Sequence, residues 1–418
     1  MTSLKQRRVL FVTYGNGHIA KVAPVAQALR EVGAQVQVMA LTLGFRQAQR
    51  LGLQPMGYRD FLHLVDRERA LAFGRQLLSE NRHPDVDDEE SVAYLGINYL
   101  EWVDRYGEDE AARRYAQGGR RSFTPVGFIG RVVDELQPAL VVSTASPRSE
   151  QAAIEAAVER GIPCMTMMDL FALPHDNFRR NDVFADRITV LSEFARDNLL
   201  DAGLDPARLV VTGCPAYDRL FEPEGVWAGA AWKESMGWTG LRVVLWAGNL
   251  EEAAPNVPKE YLGNRLGRLV ETRLREWVAR RPDVALVVRY HPNQYHLFED
   301  LGPQERVYRS NPTRDPLLPQ LHACDSIVTQ TSTVGFEGAM IGKRLLALSF
   351  SPWVINFEFD YGRLGLGQSV PGLDDLVPML ESGPPASLDR RAFPPEGPAT
   401  PRVLAQMLDL MAHGPRSK

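Results

Sequence analysis

Short apolar runs alternate along this chain with stretches that carry apolar residues at helical spacing, which is the pattern of strands followed by helices. Near the N-terminus, residues 9–14 and 35–41 are predicted strands, and residues 19–32 are the amphipathic helix between them. A strand, a helix and a second strand of these lengths predict a βαβ unit with parallel strands. The turn at 15–18, Gly-Asn-Gly-His, therefore follows the carboxyl end of the first strand, where open α/β sheets bind ligands.

The same alternation continues along the chain and restarts once, after a linker of turn residues at 221–225. The predicted strands on the two sides of the linker are 139–143, 164–168, 187–191 and 209–212, then 242–246, 284–289, 326–329 and 345–348. This rhythm predicts an α/β protein with two doubly wound parallel-sheet domains that face each other across a cleft. The expected domains are residues 1–222 and 223–400, with a last helix in 401–418 that packs back on the first domain.

Residues 66–122 interrupt the first predicted domain. The segment is charge-rich at 84–90 and then carries apolar residues at helical spacing from Val92 to Tyr106. We interpret it as a helical insertion that caps a cleft, although a solvated surface insertion fits the same pattern. The Arg120–Arg121 pair near its end points to an anionic acceptor molecule.

Composition narrows the class of protein. The chain has 418 residues, of which 24% are charged and 44% hydrophobic, as in soluble globular proteins. Its net charge of −5 gives no basic footprint for nucleic acid. Cys164, Cys214 and Cys324 match no disulfide or zinc spacing, which fits a reducing cytoplasm. No apolar run reaches the length of a membrane span, so we expect a cytoplasmic protein; peripheral membrane contact and the oligomeric state stay open.

The stretch at 324–348 carries the most specific signal in the second predicted domain. It has the pattern of a strand, a polar turn at 330–333, a helix and a second strand. A hydroxyl-rich turn before a helix suits an anion, because free N–H groups and the positive end of the helix dipole point at it. Glu337, in the first two turns of the helix, is suited to accept hydrogen bonds from a ligand diol.

A simple helix cap explains the same residues, with the turn as N-cap and Glu337 as a first-turn acid. The glycines of this helix, Gly335, Gly338 and Gly342, favour a more specific role. Each interior glycine costs about 1 kcal/mol relative to alanine, so the helix is expected to approach either a neighbouring element or a ligand closely.

Four turns, in chain order, resemble those of the GT-B superfamily of nucleotide-sugar enzymes. The turn at 15–18 is similar to the acceptor-side glycine turn of GT-B glycosyltransferases. Residues 210–218, Val-Val-Thr-Gly-Cys-Pro-Ala-Tyr-Asp, resemble the interdomain turn of UDP-N-acetylglucosamine 2-epimerases, and 289–293, Arg-Tyr-His-Pro-Asn, resemble their His-Pro turn. Residues 331–337 are similar to their diphosphate loop and ribose-binding glutamate. The resemblance spans residues 9–350 and implies the GT-B architecture of two Rossmann-like domains.

Two departures from the family shape the expected activity. The epimerases carry a Gly-Thr-Arg-Pro-Glu turn where this chain has residues 15–18, so their carboxylate set has no counterpart in that turn. The diphosphate loop holds Thr331-Ser332-Thr333 where the family has consecutive glycines. The favoured activity is therefore a metal-independent glycosyltransferase, which moves a sugar from a nucleotide-diphosphate sugar, with UDP the expected nucleotide, to a small or lipid-linked acceptor in cell-envelope or natural-product glycan synthesis.

The resemblance also implies roles for individual residues. His18 is the expected catalytic base, and Asp169, at another strand tip, is its rival. The expected acceptor side comprises Gly15, Asn16, Gly17 and Ser146. The expected nucleotide-donor site comprises Gly248, Asn249, Arg289, His291, Gln330, Thr331, Ser332, Thr333 and Glu337. Arg289 and His291 also fit a purely structural role in the Pro turn.

No metal ligand set is predicted, and no cofactor is expected beyond the nucleotide sugar as co-substrate. Two other functions stay open. One is a UDP-N-acetylglucosamine 2-epimerase-like enzyme or nucleotide-sugar hydrolase, which would act on the nucleotide sugar alone. The other is a non-catalytic nucleotide-binding partner protein built on the same fold.

Overall fold

The structure is a computed structural model that describes residues 7–82, 86–168, 170–173, 185–251, 258–357, 359–383 and 390–415. It divides into two compact units. The first unit comprises Met1–Ala216 and Pro394–Lys418, and the second comprises Tyr217–Phe393. Each unit is built around its own sheet.

The structure describes thirteen strands, most of which coincide with short apolar runs in the sequence. They are β1 (Arg8–Tyr14), β2 (Gln35–Leu41), β3 (Pro55–Met56), β4 (Leu140–Thr144), β5 (Cys164–Met167), β6 (Arg187–Val190), β7 (Leu209–Val211), β8 (Arg242–Gly248), β9 (Val284–Tyr290), β10 (Val307–Arg309), β11 (Ser326–Thr329), β12 (Arg344–Leu348) and β13 (Gln368–Val370).

The described helices connect these strands and extend the first unit. They are α1 (Gly15–Glu31), α2 (Leu43–Arg50), α3 (Arg67–Leu78), α4 (Asp88–Tyr106), α5 (Glu108–Gly118), α6 (Val126–Leu136), α7 (Ser149–Glu159), α8 (Glu193–Asp201), α9 (Pro223–Ser235), α10 (Arg265–Arg280), α11 (Leu317–Ala323), α12 (Thr333–Met340), α13 (Pro352–Phe357), α14 (Leu376–Glu381) and α15 (Thr400–His413).

The sheet of the first unit has the strand order β3-β2-β1-β4-β5-β6-β7 within the described residues. All its neighbouring strands pair in parallel. Strand β1 is apolar on both faces, from Val9 to Val12, because helices cover a parallel sheet on both sides. The strand order reverses between β1 and β4, and this switch point is where doubly wound sheets open a crevice for ligands.

The helix α15 packs on the first unit. Its apolar residues Val403, Met407 and Leu410 are buried in the same core as Ile19 and Val22 of α1. The helix that follows β1 also begins earlier than the sequence indicates. The predicted tight turn at 15–18 is the first turn of α1, because Gly15 takes a left-handed φ of +69° and the chain turns there directly into the helix.

The segment between β3 and α6 holds α3, α4 and α5 and has a small core of its own. The aromatic rings of Trp102 and Phe123 meet edge-on within this core, with centroids 4.8 Å apart. Helices α3 and α4 approach each other closely through Gly74 and Gly96. A Cβ on Gly96 would lie 1.8 Å from the carbonyl oxygen of Ala70, so only glycine fits there.

The sheet of the second unit has the order β10-β9-β8-β11-β12-β13 within the described residues, and all its neighbouring strands are again parallel. Its switch point lies between β8 and β11. The prediction of two doubly wound, Rossmann-like parallel-sheet units is therefore confirmed.

The close approach predicted for the glycine-rich helix is to the neighbouring strands. A Cβ on Gly338 would lie 1.9 Å from Cδ1 of Ile327 in β11, and one on Gly335 would lie 2.8 Å from Cγ2 of Thr329. Gly342 has a φ of +79° and lies just after the end of α12. These glycines place the start of α12 tightly against the carboxyl end of β11.

We predict that Gly96→Ala destabilises the first unit. A Gly→Ala change inside a helix normally stabilises it by up to about 1 kcal/mol, so a loss would report the clash with Ala70. Overpacking of this kind typically costs about 1–3 kcal/mol in the free energy of unfolding, measured by urea denaturation with circular dichroism. Gly383→Ala is the matched control, because Gly383 has no atom within 4 Å of an added Cβ. A Gly96→Ala protein as stable as the control would contradict the prediction.

Candidate functional site

His18 lies at the switch point of the first sheet. Its Nδ1 is 2.7 Å from Oγ1 of Thr144, the last residue of β4, and its half-buried ring meets Tyr14 edge-on with centroids 6.4 Å apart. The Thr144 hydroxyl is in turn 3.5 Å from that of Thr13. The ends of the two strands that diverge here therefore hold the imidazole in a fixed position, as a group that moves protons would need.

The expected acceptor-side residues share this edge of the sheet. Gly15 has a positive φ of +69°, which favours glycine there, and the close contact is a constraint on Gly44, where a Cβ would lie 3.1 Å from the Gly15 nitrogen. Asn16 and Gly17 continue the first turn of α1, and nothing lies within 4 Å of a Cβ added to Gly17. Ser146 follows β4 and is buried, with its hydroxyl donating to the carbonyl of Pro147. Asp169, the rival base, lies outside the described residues.

Backbone strain marks the same edge, and sequence reasoning gave no sign of it. Six non-glycine residues among those described have a positive φ, and four of them follow strands of this sheet. Those four are Thr42, Arg148, Leu170 and Ala172. Such conformations cost about 1–3 kcal/mol each and cluster at functional sites. The Arg148 guanidinium lies over the Tyr14 ring, 4.4 Å from its centroid, next to His18.

A buried carboxylate, also absent from the sequence-based site, lies near this edge. Glu90 of α4 accepts hydrogen bonds from the backbone N–H groups of Tyr58 (2.7 Å) and Arg59 (3.1 Å). Gly57 makes room for it, since a Cβ there would lie 2.4 Å from Oε2 of Glu90. Burial raises the pKa of Glu90 to about 7, and the two N–H bonds only partly oppose this shift. Glu90 can therefore exchange a proton near neutral pH.

Gln330 lies at the switch point of the second sheet. Its side chain links the end of β11 to the loop that follows β8. Its Oε1 accepts from the N–H of Asn249 at 3.0 Å, and its Nε2 donates to the carbonyl of Asn249 at 2.9 Å. The same Nε2 donates to Oε1 of Glu251 at 3.0 Å. Gln330 is almost fully buried. It therefore acts as a positioning residue for the loop after β8.

Glu251 completes this network and was not predicted. Its carboxylate also accepts from the Ser351 hydroxyl (2.7 Å) and the N–H of Trp353 (2.9 Å). Burial raises the pKa of Glu251, and the bonds from Ser351, Trp353 and Gln330 oppose the shift. In the sequence this residue stands in a Pro/Asn loop without a motif, so no local pattern reveals it.

The polar turn before α12 does contain a helix cap. Ser332 is the N-cap residue, and its Oγ accepts from the N–H of Val334 at 3.3 Å. Thr329 Oγ1 accepts from the N–H of Ser332 at 3.1 Å, and the Tyr361 hydroxyl donates to the carbonyls of Thr331 and Ser332. These hydrogen bonds therefore hold the turn in place. Thr333, the first residue of the helix, is exposed.

Glu337 is the buried acid of α12. Only 7% of its surface is exposed, and Nη2 of Arg219 lies 3.6 Å from its Oε2. This oxygen is buried and has no hydrogen-bond partner among the described residues, as is also true of Oδ1 of Asn249. Burial raises the pKa of Glu337, while Arg219 and Arg289 act against the shift. Two hydrogen-bond acceptors at this edge thus lack donors.

The other predicted nucleotide-site residues also lie at this edge but make internal contacts. The Arg289 guanidinium donates to Ser310 Oγ at 2.6 Å and to the carbonyl of Asp315 at 3.0 Å, which fastens the loop after β10. Nδ1 of His291 accepts from the N–H of Asn293 at 3.2 Å, and partial burial lowers the pKa of His291 below its usual value.

Gly248, an expected residue of the nucleotide-donor site, packs against two aromatic side chains. A Cβ on it would lie 2.8 Å from ring atoms of both Trp246 and Tyr290, so packing against aromatic side chains already requires glycine there.

The structure therefore brings each predicted set together within its own unit. Gly15, Asn16, Gly17, His18 and Ser146 lie at the carboxyl edge of the first sheet. Gly248, Asn249, Arg289, His291, Gln330, Thr331, Ser332, Thr333 and Glu337 lie at the carboxyl edge of the second. Within the described ranges, no group of three or more His, Cys, Asp or Glu is arranged to hold a metal ion. No described helix is both long and apolar enough to cross a membrane.

Comparison with solved structures places this geometry in a known fold. A UDP-GlcNAc 2-epimerase from Neisseria meningitidis, bound to UDP-GlcNAc, superposes with a TM-score of 0.58 at 14% identity over 96% of this chain and 100% of that one. The UDP-GlcNAc 2-epimerase from Methanocaldococcus jannaschii, in complex with UDP-GlcNAc and UDP, superposes with a TM-score of 0.56 at 14% identity. The match covers 96% of this chain and 99% of that one. One from Rickettsia bellii gives 0.52 at 13% over 97% of each chain.

No protein-family model matches the chain, and no curated protein sequence matches it significantly. At identities this low, the likeness to the epimerases establishes a shared GT-B-like fold. It does not by itself assign a reaction.

We predict that Glu90 makes the stability of the protein depend on pH. Its pKa is raised from 4.5 to about 7 in the folded state, so the folded protein holds a proton that the unfolded chain loses. The resulting stabilisation is complete below pH 4.5 and is lost as the pH rises to about 7, and it amounts to on the order of 3 kcal/mol.

The measurement is the free energy of unfolding at pH 5 and pH 8. In Glu90→Gln, the part of the decrease in the free energy of unfolding from pH 5 to pH 8 that is due to this residue should be absent. Glu89→Gln, a change at an exposed neighbour, should show the same decrease as the wild type. Equal pH dependence in the two variants would show that Glu90 is not the responsible group.

Proposed function

We propose that the protein is an enzyme that acts on a nucleotide-diphosphate sugar, with the nucleotide bound at the carboxyl edge of the second sheet. The observation that carries this proposal is Glu337, a carboxylate that is 93% buried in α12 yet has an oxygen without a hydrogen bond among the described residues. A buried acceptor without a donor costs about 1–3 kcal/mol, and a ligand hydroxyl would remove that cost.

The surroundings of Glu337 fit the parts of such a ligand. The ribose diol has two O–H donors, which suit the Glu337 carboxylate and Oδ1 of Asn249. The diphosphate suits the hydroxyls of Thr331 and Thr333 and the positive end of α12. Arg219, whose 59% exposed side chain lies 3.6 Å from Glu337, places a positive charge beside this position, which suits a diphosphate.

For the reaction, we propose that the enzyme changes or releases the sugar of the nucleotide sugar without an acceptor. Epimerisation and hydrolysis both need groups that take and return protons near neutral pH. Glu90, whose pKa is raised to about 7, is such a group in the first unit, and the imidazole of His18, held in place by Thr144, is a second candidate for proton transfer. The shared fold with proteins named as UDP-GlcNAc 2-epimerases supports this reaction over transfer.

Transfer of the sugar to an acceptor is the second candidate. The observation in its favour is the turn Gly15-Asn16-Gly17-His18, which has no arginine or glutamate where the epimerase turn has both. A transferase would use His18 to deprotonate the acceptor hydroxyl.

We predict that Glu337→Gln weakens the binding of UDP at least 10-fold, because a neutral amide accepts a weaker hydrogen bond from the diol than a charged carboxylate does. Isothermal titration calorimetry gives the dissociation constant. Glu299→Gln is the matched control, since its side chain is 84% exposed at another surface of the same unit. Unchanged affinity for UDP in Glu337→Gln would contradict the proposed position of the nucleotide.

We also predict turnover of a nucleotide sugar in the absence of any acceptor, followed by proton NMR of the sugar signals. UDP-GlcNAc is the first substrate to test, because solved proteins of this fold bind it. The change His18→Gln should lower kcat by about 10²–10⁴, as expected for the loss of an acid–base group. His63→Gln, at a 57% exposed site of the same unit, should leave kcat unchanged.

Three results are distinguishable. Turnover only after an acceptor is added would show that the reaction is sugar transfer and not epimerisation or hydrolysis. Binding of UDP without turnover under either condition would identify a non-catalytic nucleotide-binding protein. Wild-type kcat in His18→Gln would exclude His18 as the proton-moving group.

A further inference from the structure

A cavity of about 120 Å³ lies in the first unit, between the carboxyl ends of β1 and β2 and the helical segment α3 to α5. The strand ends contribute Tyr14 and Thr42, and the helical segment contributes Glu90, Tyr94 and Arg120. A second cavity of about 180 Å³ adjoins it and shares Thr42 and Glu90. Together they offer room for a ligand of about the size of a monosaccharide.

We propose that this cavity binds a sugar that carries an anionic group. Its walls offer three kinds of contact that such a ligand needs. The rings of Tyr14 and Tyr94 suit the C–H face of a sugar ring, Glu90 and Ser91 suit its hydroxyls, and Arg120 suits a carboxylate or phosphate.

The charge of the cavity favours an anion. The half-buried guanidinium of Arg120 makes no ion pair and no side-chain hydrogen bond with any residue that the structure describes. Arg148 lies beside the cavity, over the ring of Tyr14. Burial raises the pKa of Tyr94, and the positive charges of Arg148 and Arg120 oppose that shift. A ligand anion would supply the missing partner.

The backbone is strained at Thr42, which lines both cavities. Thr42 has a φ of +55° and a ψ of −130° at the start of α2, which a β-branched residue rarely adopts. Strain of this kind persists where the surrounding structure and a functional geometry require it.

This site goes beyond the proposed function, because it belongs to the first unit and needs no nucleotide. It gives the helical segment α3 to α5 a role, which is to select the ligand by its charge. The segment supplies Arg120, Glu90, Ser91 and Tyr94, while the sheet supplies the floor.

The test is isothermal titration calorimetry of the full chain with three probes, namely glucuronic acid, glucose 1-phosphate and glucose. We expect glucuronic acid or glucose 1-phosphate, or both, to bind at least 10-fold more tightly than glucose. Comparison of the first two probes shows whether a carboxylate or a phosphate is recognised. Absence of binding by both anionic probes, or equal binding of glucose, would overturn the proposal.

Arg120→Gln should weaken binding of the anionic probe at least 10-fold, whereas Arg121→Gln should leave it unchanged. Arg121 is a matched control because it has the same charge, is exposed and does not line the cavity. Equal losses in the two variants would reduce the effect to general surface charge and overturn the proposal. Ser91→Phe, which fills the cavity without removing a charge, should also abolish binding, and unchanged binding in it would overturn the assigned position.

The two sites can be separated. Arg120→Gln should bind UDP as the wild type does, and Glu337→Gln should bind the anionic sugar as the wild type does. Loss of UDP binding alone would contradict the nucleotide site and leave the sugar site in place. Loss of both ligands in Arg120→Gln would show misfolding, in which case Ser91→Phe alone decides the proposal.

Discussion

The side-chain amide of Gln330 is the interaction on which the candidate site of the second unit depends. In a doubly wound sheet the connections leave two central strands in opposite directions, so the loops that follow them separate and open a crevice. Gln330 follows β11 and links the two sides, because it accepts from and donates to the backbone of Asn249, after β8, and also donates to Glu251. One buried amide therefore connects both loops. In the first unit, the bond between His18 and Thr144 joins the two strands at the equivalent place.

Buried carboxylates divide into two kinds according to how their oxygens are satisfied. Glu90 and Glu251 each accept bonds from backbone N–H groups or side-chain donors on both oxygens, so they stabilise a loop and keep a raised pKa. Glu337 has only a partly exposed arginine at 3.6 Å, and one of its oxygens has no hydrogen bond within the described structure. Burying a charge without hydrogen bonds is costly, so Glu337 is the carboxylate whose position a ligand best explains.

Local patterns in the sequence predicted the fold because parallel strands are buried on both faces and read as apolar runs, such as residues 9–12 and 284–288. They also predicted that the helix with Gly335 and Gly338 closely approaches either a neighbouring element or a ligand, and the structure shows the neighbouring strand. They did not reveal Glu90 or Glu251, since each is brought to its edge by residues more than 30 positions away in the chain. The roles of Arg289 and Gly248 could not be separated either, because an arginine that fastens a loop and one that binds phosphate look alike in sequence. Such distinctions depend on tertiary contacts, which local periodicity does not encode.

The loop before α12 consists largely of hydroxyl residues, and its hydrogen bonds show how these residues use the N–H groups of the turn. The N–H of Val334 already donates to Oγ of Ser332, that of Ser332 donates to Oγ1 of Thr329, and that of Gly335 donates to the carbonyl of Ser332. A glycine loop leaves such N–H groups free for phosphate oxygens. Here these N–H groups already donate within the turn. An anion at this edge would therefore contact the hydroxyls of Thr331 and Thr333 and the positive end of the helix dipole rather than free backbone N–H groups. For the nucleotide that we propose at this edge, such an arrangement would leave much of the binding energy to the ribose, the part that we propose Glu337 holds.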